Sequence, residues 1–339
     1  MPEQSTSQTT TMRAIVYRRF GSPDVLSLEE MPRPEPGKND VLIRVEATTV
    51  GPPDCAARAA DPAFARLAYG LIKPKYPVLG GIAAGEIEAV GTNVTGFSRG
   101  DQVVGETGMT MGAHAEYVRV PHQGVVAKPD AVAHDEAVAV VDGGLTALPF
   151  LRDHAGLRGG QTILVNGASG GVGTAAVQLA KHFGAVVTGV CSTATVELVR
   201  SLGADEVVDY TKDDFTRRRA AYDVIFDAVG KSSFSRCRDA LKSGGVYLTT
   251  VPTVASGVQT LWTSKFGSKK AVLGLTGLRP AGAKATDMSW LLGLAAAGEL
   301  TPVIDRRFPL EQTAEVHRYV DTGRKKGAVV ITPNAASQA

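Results

Sequence analysis

Residues 162–183 read TILVNGASGGVGTAAVQLAKHF, and this stretch decides the fold. The apolar run TILVN predicts a strand, and the segment from Gly171 onward predicts a helix, so the glycines between them form a strand-to-helix turn. In such a turn Gly170 lets the backbone approach a pyrophosphate, and Gly173 lets the helix pack closely on the strand. Ala168 replaces the first glycine of the GxGxxG pattern.

The turn is a candidate binding site for a dinucleotide. The N–H groups at the start of a helix, together with the positive end of the helix dipole, favour an anionic group. A tight turn that binds no ligand is the alternative. The residues expected to contact the pyrophosphate are Ser169, Gly170, Gly171, Val172 and Gly173.

From residue 162 onward, apolar strands alternate with helices. The predicted strands are 162–166, 186–191, 206–210, 223–229, 246–251 and 271–275. The predicted helices are 171–183, 196–202, 234–241, 287–297 and 310–322. Continuous apolar strands in this alternation indicate a parallel sheet with helices on both faces. We therefore predict an α/β fold with a doubly wound parallel sheet of the Rossmann type.

The chain before about residue 133 has a different pattern, with short strands separated by proline and glycine. The predicted strands there are 13–17, 41–47, 85–90, 102–104 and 115–120. Short strands between frequent turns predict a β-rich domain of the barrel or sandwich kind.

The end of the second strand of the parallel sheet bears on the choice of cofactor. Folds that bind NAD usually place an acid about 20 residues after the glycine turn, where it bonds the ribose 2′-hydroxyl. Residues 189–195 read GVCSTAT and contain no acid. Ser192 and Thr193 are candidate donors to a 2′-phosphate, so we expect NADPH. The alternative is that these two residues cap the following helix.

Composition excludes several classes of protein. The net charge is +2, which gives no electrostatic basis for binding nucleic acid or an anionic membrane. The three cysteines are far apart and indicate reduced thiols in a cytoplasmic protein. Residues 1–11 are polar and predict a disordered leader, and no apolar run is long enough to span a membrane.

Taken together, several segments resemble the medium-chain dehydrogenase/reductase superfamily. The strongest likeness is to its zinc-free, quinone-oxidoreductase-like branch, often labelled NAD(P)-dependent alcohol dehydrogenase. The resemblance covers about residues 12–333. Its segments include MRAIVYRRFGSPDVL, KPKYPVLGGIAAGEIEAVGTNVTGFSRGDQVVG, GGLTA, the glycine turn, YDVIFDAVG and RKKGAVVIT.

The resemblance implies a domain organisation and a set of cofactor contacts. A GroES-like catalytic domain would comprise residues 12–133 and 280–339, and a dinucleotide-binding domain residues 134–279. The active site would lie in the cleft between the domains, and the protein would be a homodimer. The implied contacts with NADPH are Ser192, Thr193 and Tyr210 at the 2′-phosphate, Val229 and Gly230 at the adenosine, Thr146 at the nicotinamide, and Val251. Relatives often have Arg in place of Thr195, and Arg200 and Lys326 are candidate replacements for that cation.

The same resemblance predicts that no metal is bound. Zinc-dependent relatives need a Cys, a Gly-His-Glu segment and a later Cys or Asp, since a catalytic zinc takes three protein ligands. Here Gly51 stands at the first position, residues 80–82 read GGI, and Asp142 is the third. One carboxylate cannot hold the ion.

Reduction without zinc requires another group to stabilise the developing oxyanion. The candidate catalytic residues are Thr146, Asp54 and Tyr69. The alternatives are that Asp54 caps a helix and that Tyr69 anchors a hydrophobic loop. The apolar segment 62–77 is a candidate lining of the substrate pocket, and 261–266 a candidate part of the same cleft or of a dimer edge.

We therefore predict an NADPH-dependent, zinc-free oxidoreductase that transfers hydride to a small hydrophobic quinone or α,β-unsaturated carbonyl. One alternative is an NAD(P)-dependent alcohol or aldehyde dehydrogenase, which the missing zinc ligands disfavour. The other is a nucleotide-binding protein without turnover, acting as a sensor or a structural protein.

Overall fold

The computed structural model describes residues 10–61 and 66–334. The chain divides into two compact units. The first runs to Val138 and also contains Arg306–Gly323 and the chain from Val329, and the second contains Ala139–Asp305 and Arg324–Ala328. Most of the predicted leader lies outside the described residues. Its last residue, Thr11, is the start of a strand rather than part of a leader.

The first unit is rich in antiparallel strands. Its first strands are β1 (Thr11–Val16), β2 (Ser27–Pro32), β3 (Asp40–Thr49), β4 (Ile82–Val90), β5 (Gln102–Glu106), β6 (Tyr117–Pro121) and β7 (Val125–Ala127). Helix α1 (Pro52–Ala59) follows β3, and α2 (Arg66–Tyr69) precedes β4. β3 pairs with β4 and β6, while β5 pairs with β4 and β7. Val41, Ile43 and Val45 of β3 are fully buried and form part of the core of this sheet.

Helix α3 (His134–Pro149) leads into the second unit and continues as a π-helical turn at Phe150–His154. The strands that follow are β8 (Thr162–Asn166), β9 (Val186–Cys191), β10 (Glu206–Asp209), β11 (Tyr222–Asp227), β12 (Leu241–Thr249) and β13 (Lys270–Leu273). The helices are α4 (Gly171–His182), α5 (Val196–Ser201), α6 (Phe234–Cys237), α7 (Val254–Lys265) and α8 (Ala281–Ala296).

These strands form one parallel sheet in the order β10-β9-β8-β11-β12-β13. Numbered along the chain, the order is 3-2-1-4-5-6, which is the order of dinucleotide-binding folds. Both faces are covered, since Ile163 and Val165 of β8 belong to one hydrophobic cluster and Leu164 to another. The predicted fold class, a doubly wound parallel sheet beside a β-rich GroES-like unit, is confirmed.

The boundary between the units differs from the predicted one at residue 279. The second unit extends to Asp305, so α8 belongs with the parallel sheet. The physical reason is packing, because Leu291 and Leu294 of α8 join the same cluster as Phe150. The sequence predicted only residues 287–297 of this helix, and it left its packing partner open.

The chain then returns to the first unit, as the resemblance implied. β14 (Ile304–Pro309) is followed by α9 (Thr313–Asp321) and β15 (Ala328–Thr332). The sheet of the first unit has the order β14-β15-β3-β4-β5-β7, with β6 paired to β3. None of the helices in the described part of the chain has both the length and the apolar character needed to cross a bilayer.

Helix α9 buries a histidine in the core of the first unit. His317 is fully buried, and its Nδ1 lies 3.2 Å from Nη1 of Arg58 and 3.5 Å from Sγ of Cys55. Because Arg58 is always a donor, Nδ1 of His317 must be unprotonated. Burial, His114 and Arg58 together lower the pKa of His317 to about 2. The folded protein therefore holds this imidazole neutral.

This histidine makes the stability of the fold depend on pH. The pKa of His317 is depressed in the folded state, so below the unfolded value of about 6.5 the unfolded chain binds the extra proton. Between about pH 7 and about pH 5 we expect His317 to lower the free energy of unfolding by about 2 kcal/mol. Urea unfolding at both pH values measures this loss. In His317→Gln the loss of unfolding free energy between the two pH values should be smaller by about 2 kcal/mol. In the control His154→Gln, at an exposed site, the loss should equal that of the parent protein.

Candidate functional site

The glycine turn of the second unit brings β8 and α4 into close contact. β8 ends at Asn166 and α4 begins at Gly171. A Cβ on Gly173 would lie 2.0 Å from the carbonyl oxygen of Gly167, so only glycine fits there. Gly167 itself has a φ of +83°, in the left-handed region. The helix therefore starts directly over the turn, and its first N–H groups, which have no acceptor within the helix, lie at the end of the strand.

The five residues expected to contact the pyrophosphate lie together at the start of α4. Ser169 and Gly170 form the turn, and Gly171, Val172 and Gly173 form the first turn of α4. The backbone N–H groups at the start of α4, which have no acceptor within the helix, are suited to a phosphate group. The structure thus brings together the residues that the sequence assigned to the pyrophosphate.

A segment distant in the chain completes the turn, and no sequence pattern predicted this contact. The N–H of Gly327 donates to the carbonyl oxygen of Ser169 over 2.9 Å. Lys325 donates from Nζ to the carbonyl oxygen of Gly327 over 2.7 Å. A Cβ on Gly171 would lie 3.1 Å from that Nζ, so the ammonium lies beside the start of α4. Only the tertiary structure places a cation at this point.

The end of β9 differs from the expectation in one respect. The hydroxyl of Thr193 donates to the carboxylate of Asp209 and lies 3.1 Å from the hydroxyl of Thr211. Asp209 ends β10 and pairs in register with Cys191, so an acid stands beside Ser192 after all. The hydrogen bond from Thr193 and that from Thr211 lower the pKa of Asp209 to about 2, so it is a carboxylate.

In the described structure Asp209 accepts the one proton of the Thr193 hydroxyl, and a contact between Thr193 and a 2′-phosphate stays a prediction. Ser192 lies at the N-cap of the turn Thr193–Thr195, and its hydroxyl is 3.5 Å from that of Thr195. The N–H of Tyr210 donates to the carbonyl of Cys191, which places Tyr210, largely exposed, at the same strand end. The sequence analysis missed Asp209 because this residue ends the third strand of the parallel sheet, whereas the acid was expected after the second.

Of the two cations considered as replacements for a missing Arg, Arg200 has another partner. Arg200 donates from Nη1 to Glu197 over 2.6 Å within α5. The backbone N–H of Lys326 donates to Asp305 over 2.9 Å. Neither contact involves the end of β9.

The residues expected at the adenosine meet at the same edge of the sheet. A Cβ on Gly167 would lie 2.4 Å from Cγ1 of Val229, so the loop after β11 packs on the glycine turn. Gly230 has a φ of +64°, and a Cβ there would lie 2.6 Å from Cγ2 of Val251. The structure therefore brings Val229, Gly230 and Val251 together with the turn.

Thr146 lies on α3 in the second unit and is half-buried. One turn earlier on the helix, a Cβ on Gly143 would lie 2.3 Å from the carbonyl oxygen of Gly171. This contact holds α3 against the start of α4. Residues three apart share a helix face, so Thr146 lies on the side of α3 that meets α4.

Asp54 and Tyr69 lie in the first unit. The carboxylate of Asp54 accepts the N–H of Gly51 over 2.8 Å and the N–H of Gly80 over 3.1 Å. Both oxygens thus bind backbone, so the capping role describes Asp54 and the catalytic one is not supported. Burial, followed by the charge of Asp54, raises the pKa of Tyr69. Burial, followed by the neighbouring Tyr69 and Asp54, raises the pKa of Tyr17 to about 12.

The positions of the zinc ligands in zinc-dependent relatives carry no donor side chain in the first unit, where glycine occupies residues 51, 80 and 81. Over the described ranges, no three His, Cys, Asp or Glu side chains are grouped so that they could hold a metal ion. Cys55 is buried, and burial raises the pKa of its thiol, which is the opposite of what a nucleophile needs. His114 is buried too, and its Nε2 lies 3.0 Å from the carbonyl oxygen of Thr49.

Comparison with known proteins places these features in a family. Residues 37–130 match the alcohol dehydrogenase GroES-like domain, and residues 202–331 match the family described as zinc-binding dehydrogenase. The chain is 32% identical to a quinone oxidoreductase of Pseudomonas aeruginosa, with 95% of this chain and 99% of the relative covered. It is 33% identical to 2-methylene-furan-3-one reductase of Solanum lycopersicum, with 97% and 81% covered.

A solved structure is similar over almost the whole chain. Mycobacterial Rv1454c, in its complex with NADPH, matches with a TM-score of 0.81 and 27% identity, covering 95% of this chain and all of the other. The parallel sheet, the glycine turn and these relatives all indicate the same family. The chain belongs to the medium-chain dehydrogenase/reductase superfamily, in its quinone-oxidoreductase-like branch.

Proposed function

We propose that this protein is an NADPH-dependent reductase of quinones or α,β-unsaturated carbonyls that works without a bound zinc ion. The observation that supports it most is the glycine turn, closed by Gly173, at the carboxyl edge of a sheet of order 3-2-1-4-5-6. The relatives named above as a quinone oxidoreductase and a furanone reductase, and the neighbour that binds NADPH, support the substrate class and the cofactor.

The chain's own residues have distinct parts in this proposal. The start of α4 holds the pyrophosphate, and the loop of Val229 and Gly230 with Val251 contacts the adenosine. Ser192 and Tyr210 contact the 2′-phosphate, and Thr146 faces the nicotinamide end. When bound, NADPH supplies the hydride, and the protein supplies orientation and electrostatics.

Tyr69 is the proposed donor to the oxyanion of the product. Its raised pKa keeps the phenol protonated at neutral pH, so it can donate a hydrogen bond where negative charge develops. Asp54 is proposed to fix the backbone of Gly51 and Gly80 beside it, through its two hydrogen bonds.

The function is tested by following the absorbance of NADPH with a quinone, an enone, an aldehyde and an alcohol. We expect oxidation of NADPH with the quinone or the enone, and none with the aldehyde, because glycines replace the ligands that would hold a Lewis acid beside an isolated carbonyl. Reduction of the aldehyde, or of NADP⁺ by the alcohol, would support a dehydrogenase. Binding of NADPH with no turnover of any substrate would support a sensor or structural protein.

The same assay measures the part of Tyr69. Tyr69→Phe should lower kcat about tenfold or more while the Kd of NADPH is unchanged. Tyr76→Phe, at a neighbouring half-buried tyrosine, is the matched control and should keep its kcat. Equal rates for the two variants would remove Tyr69 from the mechanism.

The choice between NADPH and NADH is tested at Ser192. Ser192→Asp would place a second carboxylate beside Asp209, at the end of β9, and should weaken NADPH about tenfold or more through repulsion of the 2′-phosphate. The Kd of NADH should change little, as isothermal titration calorimetry would measure. Ser201→Asp adds the same charge on α5 and should leave both affinities unchanged. An unaltered ratio of the two Kd values in Ser192→Asp would contradict the assignment.

We further propose that two copies of the chain associate through β13 and α7. β13 is the last strand of the parallel sheet, and beside it Leu261 and Trp262 of α7 are 72% and 65% exposed. An edge strand next to exposed apolar side chains favours association. Sedimentation velocity should show a dimer for the protein and a monomer for Leu261→Glu with Trp262→Glu. A monomeric parent protein would contradict the proposal.

A cytoplasmic location is also proposed, because all three cysteines are free thiols and buried. Cell fractionation would test this directly, and recovery of the protein with a membrane or organelle fraction would contradict it.

A further inference from the structure

Asp227 is a fully buried carboxylate at the carboxyl end of β11. Four donors point at its two oxygens, and all of them are neutral groups. They are the side-chain amide of Asn166 at 3.0 Å, the N–H of Val229 at 3.3 Å, the N–H of Ser232 at 2.8 Å and the hydroxyl of Tyr247 at 2.9 Å.

The donors come from the segments that form the candidate cofactor site. Asn166 is the last residue before the glycine turn. Val229 and Ser232 flank Gly230 in the loop after β11. Tyr247 lies on β12, the strand that leads to Val251. The side chain of Asp227 therefore joins three parts of the chain, each of which leads to residues assigned to the cofactor.

The contacts above Asp227 depend on these hydrogen bonds. Val229 packs on Gly167, and Gly230 packs on Val251, each at a distance where a Cβ on the glycine would overlap its neighbour. A loop held at both ends by one carboxylate cannot shift without breaking a buried hydrogen bond. The hydrogen bonds to Asp227 thus fix the position of the loop over the glycine turn.

An amide cannot replace this carboxylate. Each oxygen of Asp227 accepts two donors, one of which is a backbone N–H, so an asparagine in either orientation would direct its own amide group at the N–H of Val229 or of Ser232. Burial raises the pKa of Tyr247, which keeps its hydroxyl a donor. A buried polar group left without its partner is costly, so the loop would move to relieve the conflict.

A second aspartate on the same strand provides a natural comparison. Asp223 also joins β11 to its neighbours, because Oδ2 accepts the N–H of Thr162 and Nζ of Lys242, each over 2.8 Å. It lies near the amino end of β11, however, and in a parallel sheet that edge is opposite to the one with the glycine turn. The two residues therefore tie the same strands at opposite edges.

We propose that Asp227 is a positioning residue for NADPH, which fixes the loop of Val229 and Gly230 against the glycine turn so that the adenosine half of the cofactor meets a preformed surface. The proposal rests on the assignment of NADPH and not on the identity of the acceptor. Asp227 acts through its neighbours and has no contact with the reacting atoms.

The test compares binding of NADPH and of 2′,5′-ADP by isothermal titration calorimetry in four variants of the full chain. Asp227→Asn should weaken both ligands about tenfold or more, and Tyr247→Phe should weaken them by a smaller factor. The matched controls are Asp223→Asn and Tyr222→Phe, a buried tyrosine of β11 that contacts Arg218. They should lower the melting temperature by a similar amount but leave both Kd values within about twofold.

Kinetics provide a readout that a merely structural role would not change. In Asp227→Asn the KM for NADPH should rise, while kcat at saturating NADPH and the KM for the acceptor stay near the parent values. If Asp227→Asn does not fold, Tyr247→Phe against Tyr222→Phe decides the question alone. Unchanged affinity in the Asp227 and Tyr247 variants, or equal loss in the controls, would overturn the positioning role. Failure of the parent protein to bind NADPH would instead overturn the cofactor assignment.

Discussion

The contact between the first turn of α4 and the glycine turn is the constraint on which the second unit depends. The carbonyl oxygen of Gly167 lies where a Cβ of residue 173 would be, so helix and turn approach more closely than any other residue would permit. This approach places the positive end of the helix at the carboxyl edge of the sheet. The neighbouring strands end at the same edge, so their loops meet there as well. A site for a dinucleotide follows from the packing of one helix.

Polar groups at that edge are held by hydrogen bonds to two carboxylates. Asp227 connects β8, β11 and β12 from below, and Asp209 holds the hydroxyl of Thr193 at the end of β9. Asp227 accepts from neutral donors, whereas Asp209 also lies 3.6 Å from Nζ of Lys212. The same groups leave a negative charge at Asp209, beside the residues assigned to the 2′-phosphate.

The first unit uses its charged groups to hold its backbone. Asp54 accepts two backbone N–H groups, and Arg58 donates to the carboxylate of Asp321 over 2.8 Å and meets His317 in the core. Where zinc-dependent relatives have ligands, this chain has glycines. Burial, followed by the charge of Asp54, raises the pKa of the Tyr69 phenol, which stays a hydrogen-bond donor at neutral pH. Reduction of a conjugated acceptor requires a weaker electrophilic group than oxidation of an alcohol does. The negative charge that develops is spread over the conjugated system, so a hydrogen-bond donor is enough to stabilise it.

The amino-acid sequence by itself determined the fold class, the strands of the parallel sheet and the glycine turn. These features follow from local periodicity and from the single steric demand of Gly173, and neither depends on distant residues. The tertiary structure alone decided that α8 packs with the parallel sheet, that Lys325 and Gly327 reach the turn, and that Asp209 accepts the proton of Thr193. Each of these contacts joins residues that are far apart in the chain or on neighbouring strands. Sequence spacing fixes which face a side chain lies on, but only the packing of the strands fixes which partner it meets there.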